Sequence, residues 1–160
     1  MKKEINIEIE VFKSAADLEE SDFQLLDAAR KETKNAYAPY SNFRVGAVAR
    51  LISGEIVKGT NQENASFPAG ICAERVLLSA ASSLFPGVAI ETMAISYHNL
   101  HGSNGKPISP CGICRQSMME FQTRTKHPIR IILSGQNGEV YLLKSATDLL
   151  PLVFTAEDMK

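Results

Sequence analysis

Residues 129–134 read IRIILS, a nearly unbroken apolar run followed by the turn sequence GQNGE. A strand with one wet face alternates apolar and polar residues. This one does not, so it is expected to be buried on both faces, with secondary structure layered above and below it. VYLLK follows the turn as a neighbouring strand. Upstream, ETMAISYH (91–98) is a third strand, and RVGAVARLI (44–52) and EIVKGTN (55–61) form a hairpin about Ser53-Gly54. Helices are expected over 21–36, about 72–84 and about 112–124, and SATDLLP is a short capped helix. In the first helix Ser21 is the expected cap, and Phe23, Leu26, Ala29 and Thr33 its buried face. The order helix, hairpin, helix, strand, helix, strand, strand implies one mixed sheet with helices packed on its faces. EINIEIEVF (4–12) alternates strictly, placing Ile5, Ile7, Ile9 and Val11 on one side, and predicts an additional, half-buried edge strand.

Bulk properties narrow the function. The chain has 160 residues, 44% hydrophobic and 22% charged, with a net charge of −1. That suits one globular domain over residues 1–160 and argues against a polyanion-binding surface, since nucleic-acid readers carry basic patches. No apolar run is long enough to span a bilayer, and MKKEINIEIE lacks the apolar core of a secretion signal, so the expected location is the cytoplasm. There thiols stay reduced, and three closely placed cysteines suggest metal or chemistry rather than disulfides.

Those cysteines are Cys72 in GICAERVLL and Cys111 and Cys114 in ISPCGICRQSMMEF, each group where a loop enters a helix. The unpaired N–H groups of a helix start favour thiolate, the metal-binding form of sulfur. Cys111 and Cys114 lie three apart, one helical turn, behind Pro110. Three thiolates suit four-coordinate zinc and leave one corner for water, the mark of a catalytic rather than a structural site. His98, His101 and His127 lack a partner at ligand spacing and read as surface or satisfied residues. Glu74, two residues after Cys72, is placed to exchange protons with a water at that corner without ligating the metal. Cys₃ ligation with a separate glutamate is the pattern of zinc deaminases. Arg75 reads equally well as a surface residue or as a guanidinium that offsets the negative charge of three thiolates on Zn²⁺.

YAPYSNFRVGA (37–47), GTNQENASFPAGICAER (59–75), SPCGICRQSMMEF (109–121) and LLPLVF (149–154) resemble the small, homotetrameric, zinc-dependent cytidine deaminases. The resemblance implies a three-layer α-β-α sandwich on a five-stranded mixed sheet, with the N-terminal strand as an addition. It implies one zinc ion per subunit on Cys72, Cys111 and Cys114, and Glu74 as proton shuttle. Asn61, Gln62 and Glu63 would lie at the nucleoside, Asn61 and Glu63 on the ribose hydroxyls. Phe43 would lie against the pyrimidine, and Ala65 and Ala73 would hold the base through their backbone. Phe67 and Phe154 would approach a neighbouring subunit's site. The implied reaction is deamination of cytidine and deoxycytidine in pyrimidine salvage. A deaminase of another cytosine-containing nucleoside or antibiotic, a nucleic-acid-editing deaminase, a structural zinc module and a thiol redox protein are the alternatives. NQEN favours a ribose ligand, and Cys rather than His at position 72 disfavours an editing enzyme. Residues 4–12 and the long loop 99–107 are outside what the short family members lead one to expect.

Overall fold

The computed structural model describes all residues, 1–160, as a mixed six-stranded sheet with helices on both faces. The strands are β1 (Glu10–Phe12), β2 (Phe43–Leu51), β3 (Ile56–Thr60), β4 (Ile90–Asn99), β5 (Arg130–Ser134) and β6 (Val140–Leu143), and the α-helices are α1 (Glu20–Glu32), α2 (Ala73–Leu84) and α3 (Gly112–Thr125). Sheet order is β1-β6-β5-β4-β2-β3, and β4–β5 is the one parallel pair. That pair is joined through α3, as parallel neighbours must be joined by a crossover.

The apolar run of residues 129–134 sits near the middle of the sheet. Ile131 and Leu133 point to one face and Ile132 to the other, all 2% exposed or less. β2 and β4 divide the same way: Ala47, Ala49, Leu51, Ile90, Met93 and Ile95 pack under α2 and α3, and Val48 and Ala94 under α1. The alternation explains the two cores. Successive residues of a strand face opposite ways, so a strand covered on both sides must be apolar throughout. No helix is long and apolar enough to cross a membrane.

Four expectations need correction. Of residues 4–12 only Glu10–Phe12 pair, antiparallel to β6, and the expected inward set is exposed, Ile5, Ile7 and Ile9 at 44–47% and Val11 at 57%. The reason lies in the partner. β6 ends at Leu143, and the chain turns away at Ser145 into a 3₁₀ turn over Ala146–Leu149. No ladder extends to residues 4–9, though Lys144 holds Glu8 by an ion pair at 3.2 Å. Ser21 is not the cap of α1, which begins one residue earlier with Glu19 at the N-cap. Phe23 is exposed, and the buried face carries Asp22, Leu25, Leu26 and Ala29, with Thr33 beyond. A carboxylate takes an inward position because Arg130 of β5 meets it, Nη2 to Oδ2 at 2.7 Å and Nη1 to Oδ1 at 3.2 Å. The α-helix also stops at Glu32, and a 3₁₀ turn continues to Asn35.

One close contact seats the helix that carries Cys72. A Cβ on Gly59 would stand 2.3 Å from the Ala73 carbonyl oxygen and 2.6 Å from the Leu77 nitrogen. Gly59→Ala must therefore push α2 off β3. Overpacking of this kind costs about 1–3 kcal/mol. A urea titration is expected to show that loss, and the first turn of α2, with Cys72 at its N-cap, should shift with it.

Candidate active site and metal centre

β2 is antiparallel to both β3 and β4, so β3 and β4 run the same way. The helices that follow them, α2 and α3, consequently begin at one end of the sheet. Cys72 is the N-cap of α2 and Cys111 the N-cap of α3, and neither side chain is spent on capping a backbone N–H. The sulfurs face each other instead: Cys72 Sγ lies 3.7 Å from Cys111 Sγ, and Cys111 Sγ 3.4 Å from Cys114 Sγ. All three fall within 4.8 Å of one another, and no histidine or carboxylate joins the cluster. Tetrahedral zinc with bonds of about 2.3 Å separates its sulfurs by about 3.8 Å. The donor set and its spacing fit that ion. Cys114 is fully buried, Cys72 half-buried and Cys111 exposed.

The thiols differ in acidity. Cys72 is pushed down to about 6, chiefly by the nearby Cys114 thiol, with smaller help from Cys111 and the charge of Arg75. Cys114 is pushed up, first by the neighbouring Cys72 sulfur and then by burial. Arg75 makes no hydrogen bond to a sulfur, so its effect on the cluster is Coulombic. The Glu74 side chain is buried, 5% exposed, and desolvation pushes its carboxyl above the usual carboxylate range.

The cluster opens into a cleft of about 590 Å³, within the range of small-molecule sites. Cys72, Cys111, Ala73 and Glu74 line it together with Asn61, Gln62, Glu63 and Phe67. Residues 61–63 are held by two bridges, Gln62 pairing with Tyr37 on one side and Ile71 on the other. Asn61 is spent partly on β2: Oδ1 accepts from the Val45 N–H at 2.7 Å, and Nδ2 donates to the Phe43 carbonyl at 2.9 Å. Glu63 accepts from the Tyr40 N–H at 2.8 Å, from the Ser41 N–H at 3.3 Å and from the Ser41 hydroxyl. The hydroxyl is the main reason its carboxyl lies below the usual range. Gln62 turns its amide to the Thr60 hydroxyl, 2.9 Å away.

Phe43 and Ala65 are not among the lining residues. The Phe43 ring instead stacks on Tyr97, centroids 4.9 Å apart and planes 10° from parallel. Phe67 and Phe154 are 77% and 61% exposed. Phe67 borders the cleft, edge-on to Tyr40 at 6.0 Å, while Phe154 is on the tail, its carbonyl accepting from Gln116 at 2.8 Å. The sequence did not single out Tyr40, Val45, Ile71 or Ile108 as lining residues, because only the tertiary fold brings them to the cleft. Arg115 was also without a role. Its guanidinium donates to the Pro110 carbonyl (2.8 Å), the Ser109 hydroxyl (3.0 Å) and the Leu149 carbonyl (3.0 Å), bracing the turn that presents Cys111. The signal was its place just after C-x-x-C, where an arginine reaches back over the first helical turn.

Comparison with known proteins accords with this geometry. Residues 19–127 match the family model of the cytidine and deoxycytidylate deaminase zinc-binding region. The chain is 36% identical over 137 residues to a cytidine deaminase of Halalkalibacterium halodurans, covering 84% of this chain and 95% of that one. It is 32% identical over 134 residues to a cytidine deaminase of Mycobacterium tuberculosis, covering 82% and 87%. The crystal structure of a cytidine deaminase from Burkholderia pseudomallei superposes with a TM-score of 0.70 at 40% identity, over 82% of this chain and 97% of that one. With two helix tips delivering three sulfurs and a buried glutamate to one cleft, and with relatives matching along most of its length, this chain belongs to the cytidine and deoxycytidylate deaminase family.

Proposed function

We propose that the protein hydrolyses cytidine and deoxycytidine to uridine and deoxyuridine, releasing ammonia, with one zinc ion held by Cys72, Cys111 and Cys114. The observation that carries the reading is the buried Glu74 carboxyl beside the sulfur cluster, on the floor of a cleft that Asn61 and Glu63 also line. Zinc held by Cys72, Cys111 and Cys114 would lower the pKa of a water in the cleft, so that it could give up a proton and act as the nucleophile toward C4 of cytosine. Glu74 does the proton work. It takes a proton from the attacking water and passes it to N3, then takes the second proton from the new C4 hydroxyl and delivers it to the amine as the C4–N bond breaks, leaving the C4 carbonyl of uridine. A carboxyl shielded from bulk water at that point keeps each proton between transfers rather than losing it to solvent. Ala73, at the first position of α2, offers its N–H, one of the unpaired donors of a helix start, to the base.

Asn61 and Glu63 serve the sugar. Each keeps hydrogen-bonding capacity beyond its contacts to the 40–45 backbone, and those contacts hold both side chains in place before a ribose arrives. Gln62 and Ala65 act through the path of the same segment. Phe43, braced on Tyr97, is read as the apolar support for the pyrimidine. The exposure of Phe67 and Phe154 supports their burial against other subunits of a homotetramer. A cytoplasmic place in pyrimidine salvage is the setting this reading implies.

The direct test is purified protein with equimolar zinc and cytidine, followed by the fall in cytosine ultraviolet absorbance. A steady fall with ammonia release is expected. An unchanged spectrum would remove the assignment. Free cytosine, offered in parallel, should react far more slowly because it lacks the group that Asn61 and Glu63 bind. Equal rates on both would point to a substrate without ribose.

A further inference from the structure

Between β4 and the Cys111 turn, the loop over residues 100–110 is closely fastened. Asn104 is the fastening. Its Oδ1 accepts from the Asn99 N–H at 2.6 Å, and its Nδ2 donates to the Asn99 and Gly102 carbonyls, both at 3.1 Å. Its own carbonyl accepts from the Asn137 N–H at 3.4 Å, in the turn between β5 and β6. The seat on that turn is tight: a Cβ on Gly135 would stand 1.8 Å from the Asn104 carbonyl oxygen. Tyr97, on which Phe43 stacks, donates its hydroxyl to the Ser103 carbonyl at 3.4 Å. At the far end Ile108 and Ser109 enter the wall of the cleft, and Arg115 fixes Ser109 and Pro110.

We propose that Asn104 is a positioning residue for nucleoside binding, holding the loop on the β5–β6 turn so that Ile108 forms a fixed apolar wall of the cleft. The proposal rests on the deaminase reading above and extends it to a residue that touches neither zinc nor substrate. A wall set in place before binding spares the nucleoside the cost of ordering the loop. Loosening the wall should therefore weaken binding and leave the proton transfers at Glu74 intact.

The test is steady-state kinetics on cytidine, with zinc content measured on each preparation. Asn104→Ala should raise KM about tenfold, the scale of one or two lost hydrogen bonds, with kcat within about twofold and zinc still bound. Asn104→Asp keeps the acceptor for Asn99 and loses the donors, so its KM should fall between the two. Gly135→Ala displaces the loop from the opposite side without altering a lining residue and should reproduce the KM effect. Ile108→Ala should do the same by removing the wall itself. A residue that merely stabilises the fold would instead lower kcat with the active fraction and leave KM alone. That pattern, or an unchanged KM in Asn104→Ala and Gly135→Ala, overturns the proposal while leaving the deaminase reading intact. A wild-type protein inactive on cytidine overturns both.

Discussion

Glu74→Gln is expected to bind zinc at one ion per chain, melt near the wild-type temperature and turn cytidine over about 10²–10⁴ times more slowly, the usual worth of a positioned general acid–base group. The substitution keeps the shape of the side chain and its place in the first turn of α2. What it removes is the carboxylate that, in the proposed reaction, carries one proton from water to N3 and a second from the C4 hydroxyl to the leaving amine. Because Glu74 lies 5% exposed beside the sulfurs, bulk solvent is a poor substitute for it. The expected loss is in kcat, with KM changed little, since Asn61 and Glu63 are untouched. Turnover within a few-fold of wild type would exclude Glu74 from the proton transfers. Loss of zinc along with activity would instead give it a structural role. Kinetics and metal analysis on the same sample separate these results.

The second large effect is expected at the cluster itself. Cys114 is wholly buried and closes the triangle of sulfurs with Cys72 and Cys111. Cys114→Ser replaces a soft thiolate with a hydroxyl that does not ionise near neutral pH, so zinc content should fall from one per chain to near zero and activity with it. A ligand that binds only the folded state stabilises it by an amount that grows with its affinity, about 4 kcal/mol at a thousandfold excess over Kd. The variant should therefore melt lower than the zinc-loaded wild type and show no gain in Tm when zinc is added. Chelator-stripped wild type should melt lower in the same way and recover both Tm and activity with added zinc. A Cys114→Ser protein that kept its zinc and its turnover would show that the cation, if bound, is held elsewhere.

What was legible in the sequence follows from how local each signal is. The limits of β2, β3, β4, β5 and β6 fall within one residue of those expected from apolar runs and turns, because burial on one or both faces is written into successive residues. The convergence of Cys72, Glu74, Cys111 and Cys114 was legible because each group sits at a helix start, and the sheet directions bring both starts to one end. Residues 4–9 were misread for the complementary reason. Their alternation describes a surface fit to pair, but pairing needs a partner, and β6 ends too soon to provide one. Asp22 was missed on the buried face of α1 because its partner is Arg130, 108 residues away. The stacking partner of Phe43 was not legible for the same reason. A phenylalanine at a strand start carries no sign of the Tyr97 ring, which reaches it only because Val45 and Tyr97 are paired in the β2–β4 ladder. The loop held by Asn104 had no periodicity to read, and its order comes from asparagine side chains bonding to backbone and from contact with a distant turn.

The proposed chemistry depends on one metal environment, and X-ray absorption at the zinc edge of the purified, untreated protein measures it most directly. The prediction is three sulfurs at about 2.3 Å and a single oxygen from solvent. A nitrogen or a fourth sulfur in place of that oxygen, or fewer than three sulfurs, would contradict it.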